Sequence, residues 1–132
     1  MTGYFEYLHT IEFDEVQVTN VHFSTYLRWQ STCRDRLLRK VSPPEMRLRI
    51  DKAECEFFTL ATVDDELSVR MRLEELTPTQ LQFTFDYVRT SDACLVARGR
   101  QRVACVVGTE EVLVPPGVRA AALPYAETPV AG

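Results

Sequence analysis

The sequence predicts an α+β domain in which a five-stranded antiparallel sheet wraps around one long central helix. Two observations predict it. Residues 20–40 alone have long-range helical spacing, and most of the remaining chain alternates with a period of two between short turns. Successive strands joined by short turns pair antiparallel. A single helix with one apolar stripe has to bury it, and one face of that sheet is the only large partner. The 132 residues suit a single domain covering the whole chain, 1–132.

Each element can be justified in order. Over residues 4–13, Phe5, Tyr7, His9, Ile11 and Phe13 share one face, and Tyr4, Glu6, Leu8, Thr10 and Glu12 share the other. That is a strand with one buried face. Residues 14–19 form a short loop, and Asn20 is placed to cap the helix that follows. The helix is expected from Val21 or Phe23 to Arg39. Leu27, Arg34 and Leu38 lie on one stripe, with Tyr26, Cys33 and Leu37 beside it. Arg36, Arg39 and Lys40 complement the helix dipole at its C-terminal end, and Pro43-Pro44 stops it.

A second strand falls within residues 47–61, strongest over 53–60, and a turn follows at 63–66. Leu67, Val69, Met71 and Leu73 point inward from the third strand, and Leu81, Phe83, Phe85 and Tyr87 from the fourth. The last long strand spans 95–107 and carries Arg98, Arg100 and Arg102 in one row. A short helix is expected at 118–123, with a flexible tail from about residue 124.

Composition narrows the partners. A net charge of −4 argues against nucleic-acid binding through global charge. No run of ~18 apolar residues offers a membrane span, and the first residues lack the pattern of a secretory signal. A cytoplasmic protein is expected, with Cys33, Cys55, Cys94 and Cys105 reduced. None of the four has zinc-ligand spacing with His9 or His22, so neither metal nor cofactor is expected.

The segment N-V-H-F-S-T-Y-L-R-W-Q-S-T-C-R-D-R, residues 20–36, resembles the acyl-carrier-protein thioesterases of enediyne polyketide biosynthesis. These form a hotdog-fold branch of the 4-hydroxybenzoyl-CoA thioesterase-like group. Asn20, Val21, Phe23, Tyr26, Leu27, Trp29, Gln30, Cys33 and Arg34 carry the match, supported by G-Y-F-E-Y-L-H at 3–9, E-C-E-F-F at 54–58 and V-A-R-G-R-Q-R-V-A-C at 96–105.

The resemblance implies hydrolysis of a polyene or β-keto polyketide thioester from the phosphopantetheine arm of an iterative polyketide synthase's acyl carrier domain. It also implies a homotetramer built from dimers. Arg34, Tyr26 and Asn20 are the implied catalytic residues, and Val16, Gln17, Phe23, Gln30 and Phe57 the implied substrate contacts. In place of the acid used by most hotdog thioesterases, this branch relies on a loop Asn, a helix Arg and a Tyr. Val16 stands at the position of that Asn and Thr19 at that of a Gly. Valine cannot orient water, so Gln17 or Asn20 has to replace it if anything does.

Each residue also has a plainer reading. Arg34 could be an ion pair with Glu54 or Glu56 rather than a cation at the thioester carbonyl. Tyr26 could be core, Asn20 a cap, and His22 a solvated residue of the first turn. Asp14 and Glu15 are carboxylates near the loop but precede the usual acid position. The arginine row could be a solvated strand face or a landing strip for an acidic carrier protein. Two other functions fit: an acyl-CoA thioesterase of the same fold, or a non-hydrolytic partner of the polyketide or its carrier.

Overall fold

The computed structural model describes residues 3–17 and 20–127. Its strands are β1 (Phe5–Thr10), β2 (Val16–Gln17), β3 (Asn20–Val21), β4 (Met46–Phe57), β5 (Glu66–Leu76), β6 (Gln80–Arg89), β7 (Cys94–Val107) and β8 (Glu110–Glu111). Helix α1 (Phe23–Leu38) follows β3, and helix α2 (Pro116–Ala122) follows β8. The main sheet runs β1-β5-β6-β7-β4, antiparallel throughout. The expected five long strands are all present, but β8 adds a two-residue sixth at the end of β7, and β2 pairs β3 in a separate ribbon.

The inner face of the sheet follows from alternation. Leu67, Val69, Met71 and Leu73 of β5 are buried with Leu81, Phe83, Phe85 and Tyr87 of β6. Each such side chain contributes about 1.5–3 kcal/mol on leaving water. Helix α1 completes the core with Tyr26, Trp29, Cys33 and Leu38, and it also buries Gln30 and Arg34. The buried stripe is centred one position away from the expected one: Leu27 is only half-buried, and Trp29 takes the central place.

Four further expectations need correction. Asn20 does not cap α1; its backbone pairs with Gln17 in the ribbon, and His22 is the cap, its Nδ1 accepting the Ser24 N–H at 3.2 Å. Phe13 is 85% exposed, because the chain leaves β1 at Thr10 and makes a 3-10 turn at Phe13–Glu15. β4 begins at Met46 and ends at Phe57, leaving Phe58 and Leu60 exposed beyond it. Residues 124–127, expected to belong to a flexible tail, continue from a 3-10 turn at Leu123–Tyr125 to Glu127, whose N–H donates to the Leu73 carbonyl at 2.9 Å; the rest of that tail, 128–132, lies outside the described residues. The expected short helix near 118–123 is α2, with Pro116 fitting its first turn.

Among the described residues no helix is long and apolar enough to cross a membrane, and no cluster of three His, Cys, Asp or Glu could hold a metal ion. The four cysteines are free.

Candidate active site

Helix α1 places Tyr26, Gln30 and Arg34 at successive i, i+4 positions, one face of the helix. That row faces the β4–β7 side of the sheet. Tyr26 meets Phe57 edge to face at 4.9 Å. The Gln30 amide donates to the Glu54 carbonyl at 3.0 Å. Arg34 donates to the Gln101 side-chain carbonyl at 2.7 Å. Strand register explains the order, because Phe57 pairs with Ala97, Cys55 with Gly99, and Ala53 with Gln101.

Gln30 reaches the strand because residue 99 is glycine. A Cβ there would stand 2.2 Å from the Gln30 Nε2 and 3.1 Å from the Glu54 carbonyl oxygen. The Gln30 side-chain carbonyl is buried and has no hydrogen-bond partner among the described residues. Since orphaned buried acceptors are rare, it marks Gln30 as more than filler.

Tyr26 is packed among Trp29, Phe57 and Tyr87, and its backbone carbonyl accepts the Tyr87 hydroxyl at 2.8 Å. Burial pushes the Tyr26 hydroxyl up to about 12, so at neutral pH it is a proton donor. Tyr26 and Arg34 are two helical turns apart, about 12 Å between backbone positions.

The ion pair considered for Arg34 with Glu54 or Glu56 is not formed. Its guanidinium donates to Gln101 on the buried side and to Asp35 Oδ1 at 2.9 and 3.1 Å on the outer side. Glu54 instead accepts from Arg100. Arg34 also borders a cleft of ≈ 420 Å³ with Arg39, Arg47, Ser42 and Leu48.

The loop residues are placed less fully. Val16 pairs with Val21 and is half-buried against the core. Gln17 and Asn20 face one another in backbone register, though their side chains lie outside what is described, as do residues 18 and 19, including Thr19. Phe23 is exposed at the start of α1 beside the His22 ring, 4.7 Å away.

Glu15 is buried, and its carboxylate accepts from four donors: the Glu12 N–H at 2.8 Å, His9 Nε2 at 2.8 Å, Arg28 at 3.1 Å and the Trp29 indole N–H at 3.1 Å. Burial pushes its pKa up, but the Glu12, His9 and Trp29 contacts outweigh that and hold it below the usual carboxylate range. Two arginines of the row are paired, and the third, Arg102, has a buried Nε with no hydrogen-bond partner among the described residues. Arg98 meets Asp86 at 2.9 Å, and Arg100 meets Glu74 at 2.9 Å and Glu54 at 3.1 Å.

Sequence reading missed two residues that complete this arrangement, Gln101 and Gly99. Both lie inside the matched V-A-R-G-R-Q-R-V-A-C segment, and that match was the available signal.

No family model matches the chain. A protein of Aquifex aeolicus (strain VF5), provisionally assigned as an esterase, is 28% identical over 119 residues, covering 84% of this chain and 91% of that protein. The crystal structure of the dynemicin thioesterase, described with bound polyene, aligns over 95% of this chain and 99% of its own, at 34% identity and a TM-score of 0.88. A 1,4-dihydroxy-2-naphthoyl-CoA thioesterase from Synechocystis shares the fold at 16% identity, with a TM-score of 0.81 over 89% of this chain and 94% of its own. The sheet, the helix and the near-complete alignment at 34% identity agree: the chain belongs to the hotdog-fold thioesterases, in the group represented by the dynemicin thioesterase, and is a thioester hydrolase.

Proposed function

We propose that the chain hydrolyses a polyene or β-keto polyketide thioester held on the acyl carrier domain of an iterative enediyne polyketide synthase. The observation that carries this reading is the likeness to the dynemicin thioesterase across nearly the whole chain, beside the family resemblance of the Y-L-R-W-Q-S-T-C-R helix. In this reading water attacks the thioester carbonyl, the C–S bond breaks, and pantetheine leaves as the thiol with no covalent enzyme intermediate. Arg34 and Tyr26 polarise the carbonyl as its oxygen gains charge. Asn20, with Gln17 beside it, orients the water that Val16 cannot. Phe23, Gln30 and Phe57 contact the acyl chain.

The separation of Tyr26 from Arg34 along α1 supports a site shared between copies in a homotetramer, a dimer of dimers. β4 is a 12-residue edge strand with Ile50 and Phe57 exposed, a feature that natural proteins usually cover or pair. Pairing two β4 edges antiparallel about Cys55 sets Ala53 opposite Phe57 of the copy. Arg34 of one chain then lies level with Tyr26 of the other.

The fold shared with a CoA thioesterase supports the second reading, an acyl-CoA substrate. Hydrolysis of one acyl chain, presented on a carrier domain and on coenzyme A side by side, separates the two. The carrier reading expects at least a tenfold preference in kcat/KM for the loaded carrier; equal or greater activity on the CoA ester would replace it. Binding of the loaded carrier with no cleavage above background would instead leave a non-hydrolytic partner.

A further inference from the structure

We propose that Gln101 is a positioning residue for hydrolysis, a neutral anchor that fixes Arg34 while leaving its positive charge free to act on the substrate. The proposal deepens the reading above and rests on the role given there to Arg34.

A buried guanidinium is ordinarily matched by a carboxylate, because an uncompensated charge away from water is costly. Arg34 is only 7% exposed, yet its inner partner is an amide. Gln101 is fully buried in the middle of β7, and its carbonyl accepts one Arg34 N–H at 2.7 Å. Its own NH₂ donates to Ser31 Oγ at 3.3 Å, which sets which end of the amide faces the arginine. Among the described residues the one carboxylate on Arg34 is Asp35, bonded at 2.9 and 3.1 Å; its side chain is 51% exposed, and solvent-exposed pairs are worth only about 0–1 kcal/mol. A glutamate at position 101 would hold the guanidinium equally well and cancel its field at short range. The choice of amide over carboxylate keeps a second anion off Arg34, which already borders the cleft with Asp35 as well as Arg39 and Arg47. A merely structural arginine gains nothing from a neutral partner in so buried a place. A cation meant to stabilise an oxyanion does.

The test compares Gln101→Glu, Gln101→Met and Arg34→Ala in the full chain, measuring kcat and KM on acyl-carrier and acyl-CoA thioesters alongside thermal unfolding. Gln101→Glu is expected to lower kcat about 100-fold with KM changed less than about threefold. Its activity should climb back toward wild type as the pH is lowered and the new carboxyl takes up a proton, a response that a structural role would not produce. Gln101→Met, nearly isosteric but without an acceptor, should lower kcat about tenfold, and it serves as the deciding variant if Gln101→Glu does not fold. Wild-type kcat in whichever of these two variants folds, while Arg34→Ala is inactive, overturns the proposal and leaves the reading of the site standing. Wild-type kcat in Arg34→Ala overturns both.

Discussion

Glu15 and Arg34 are the two charged side chains buried among the described residues, one between α1 and β1, the other between α1 and β7. Their surroundings differ in kind. The Glu15 carboxylate offers about four lone-pair positions, and four donors from three segments occupy them. Two of the donors, His9 and Arg28, are basic, and His9 is held in turn by the Tyr7 hydroxyl at 2.8 Å. With His9 Nε2 donating to Glu15, Nδ1 accepts from Tyr7, so the network assigns one tautomer and closes on itself. Arg34 has five N–H groups, of which Gln101 and Asp35 account for three, and its inner partner is neutral. The anion is saturated by its surroundings, whereas the cation has a neutral partner on its buried side and one half-exposed carboxylate, Asp35, on its outer side. Burial alone therefore does not distinguish the two charges; what the partners neutralise does.

The sharpest way to break this contrast is to remove each charge and ask which property suffers. Arg34→Ala should lower kcat by about 100- to 1000-fold, the loss typical of one oxyanion-stabilising group, while the folded protein remains. Circular dichroism and steady-state kinetics on the same preparation check it. If turnover stays within about threefold of wild type, Arg34 is as structural as Glu15.

The opposite outcome is expected for Glu15→Gln. It keeps the size but loses the charge that His9 and Arg28 meet, and the amide brings donors to positions where only donors already point. Removing one partner from such a buried network costs about 2–4 kcal/mol. Urea unfolding at neutral pH measures it, and kcat of the folded fraction should be unchanged. The pH dependence has a definite sign. The folded-state pKa of Glu15 is below its unfolded value, so its stabilisation is complete above the ordinary carboxylate range, near ~4.3, and is lost as pH falls through the folded value. The gap between wild type and Glu15→Gln should therefore close in acid. A gap that widens below that range would show that the carboxyl stabilises the fold in its protonated form.

The contrast also marks where sequence reasoning works. β5 and β6 were readable residue by residue, because alternation depends only on neighbours two apart and both strands have one buried face. The extent of α1 was readable within a residue or two from its spacing and from Pro43-Pro44. The cap was not, since Asn20 suits the position locally but the β2–β3 ribbon takes up its backbone and moves the helix start to His22. Arg34 stood out as a site candidate, but its character depends on Gln101, 67 residues further along, brought opposite by the β4–β7 and β6–β7 pairings. The stripe was displaced for the same reason: Trp29 is drawn inward by the Glu15 carboxylate, a contact that spacing within α1 does not encode.

The smallest expected effect tests the outer side of Arg34. Asp35 is the one carboxylate that touches it, at 2.9 Å, so a sceptical account would make Asp35 the true counter-ion and Gln101 incidental. Its side chain is half-exposed, and pairs of that kind are worth about 0–1 kcal/mol. Asp35→Asn keeps an acceptor in the same place and removes only the charge. Stability should change by less than about 1 kcal/mol, and kcat should stay within about threefold. The direction is informative as well: with less negative charge nearby, the guanidinium field strengthens, so any change in kcat should be upward and should shrink as salt is added. A fall in kcat comparable to that of Gln101→Met would place the anchor on the exposed side, where solvent competes for it. Arg34 would then be a neutralised ion pair like Glu15.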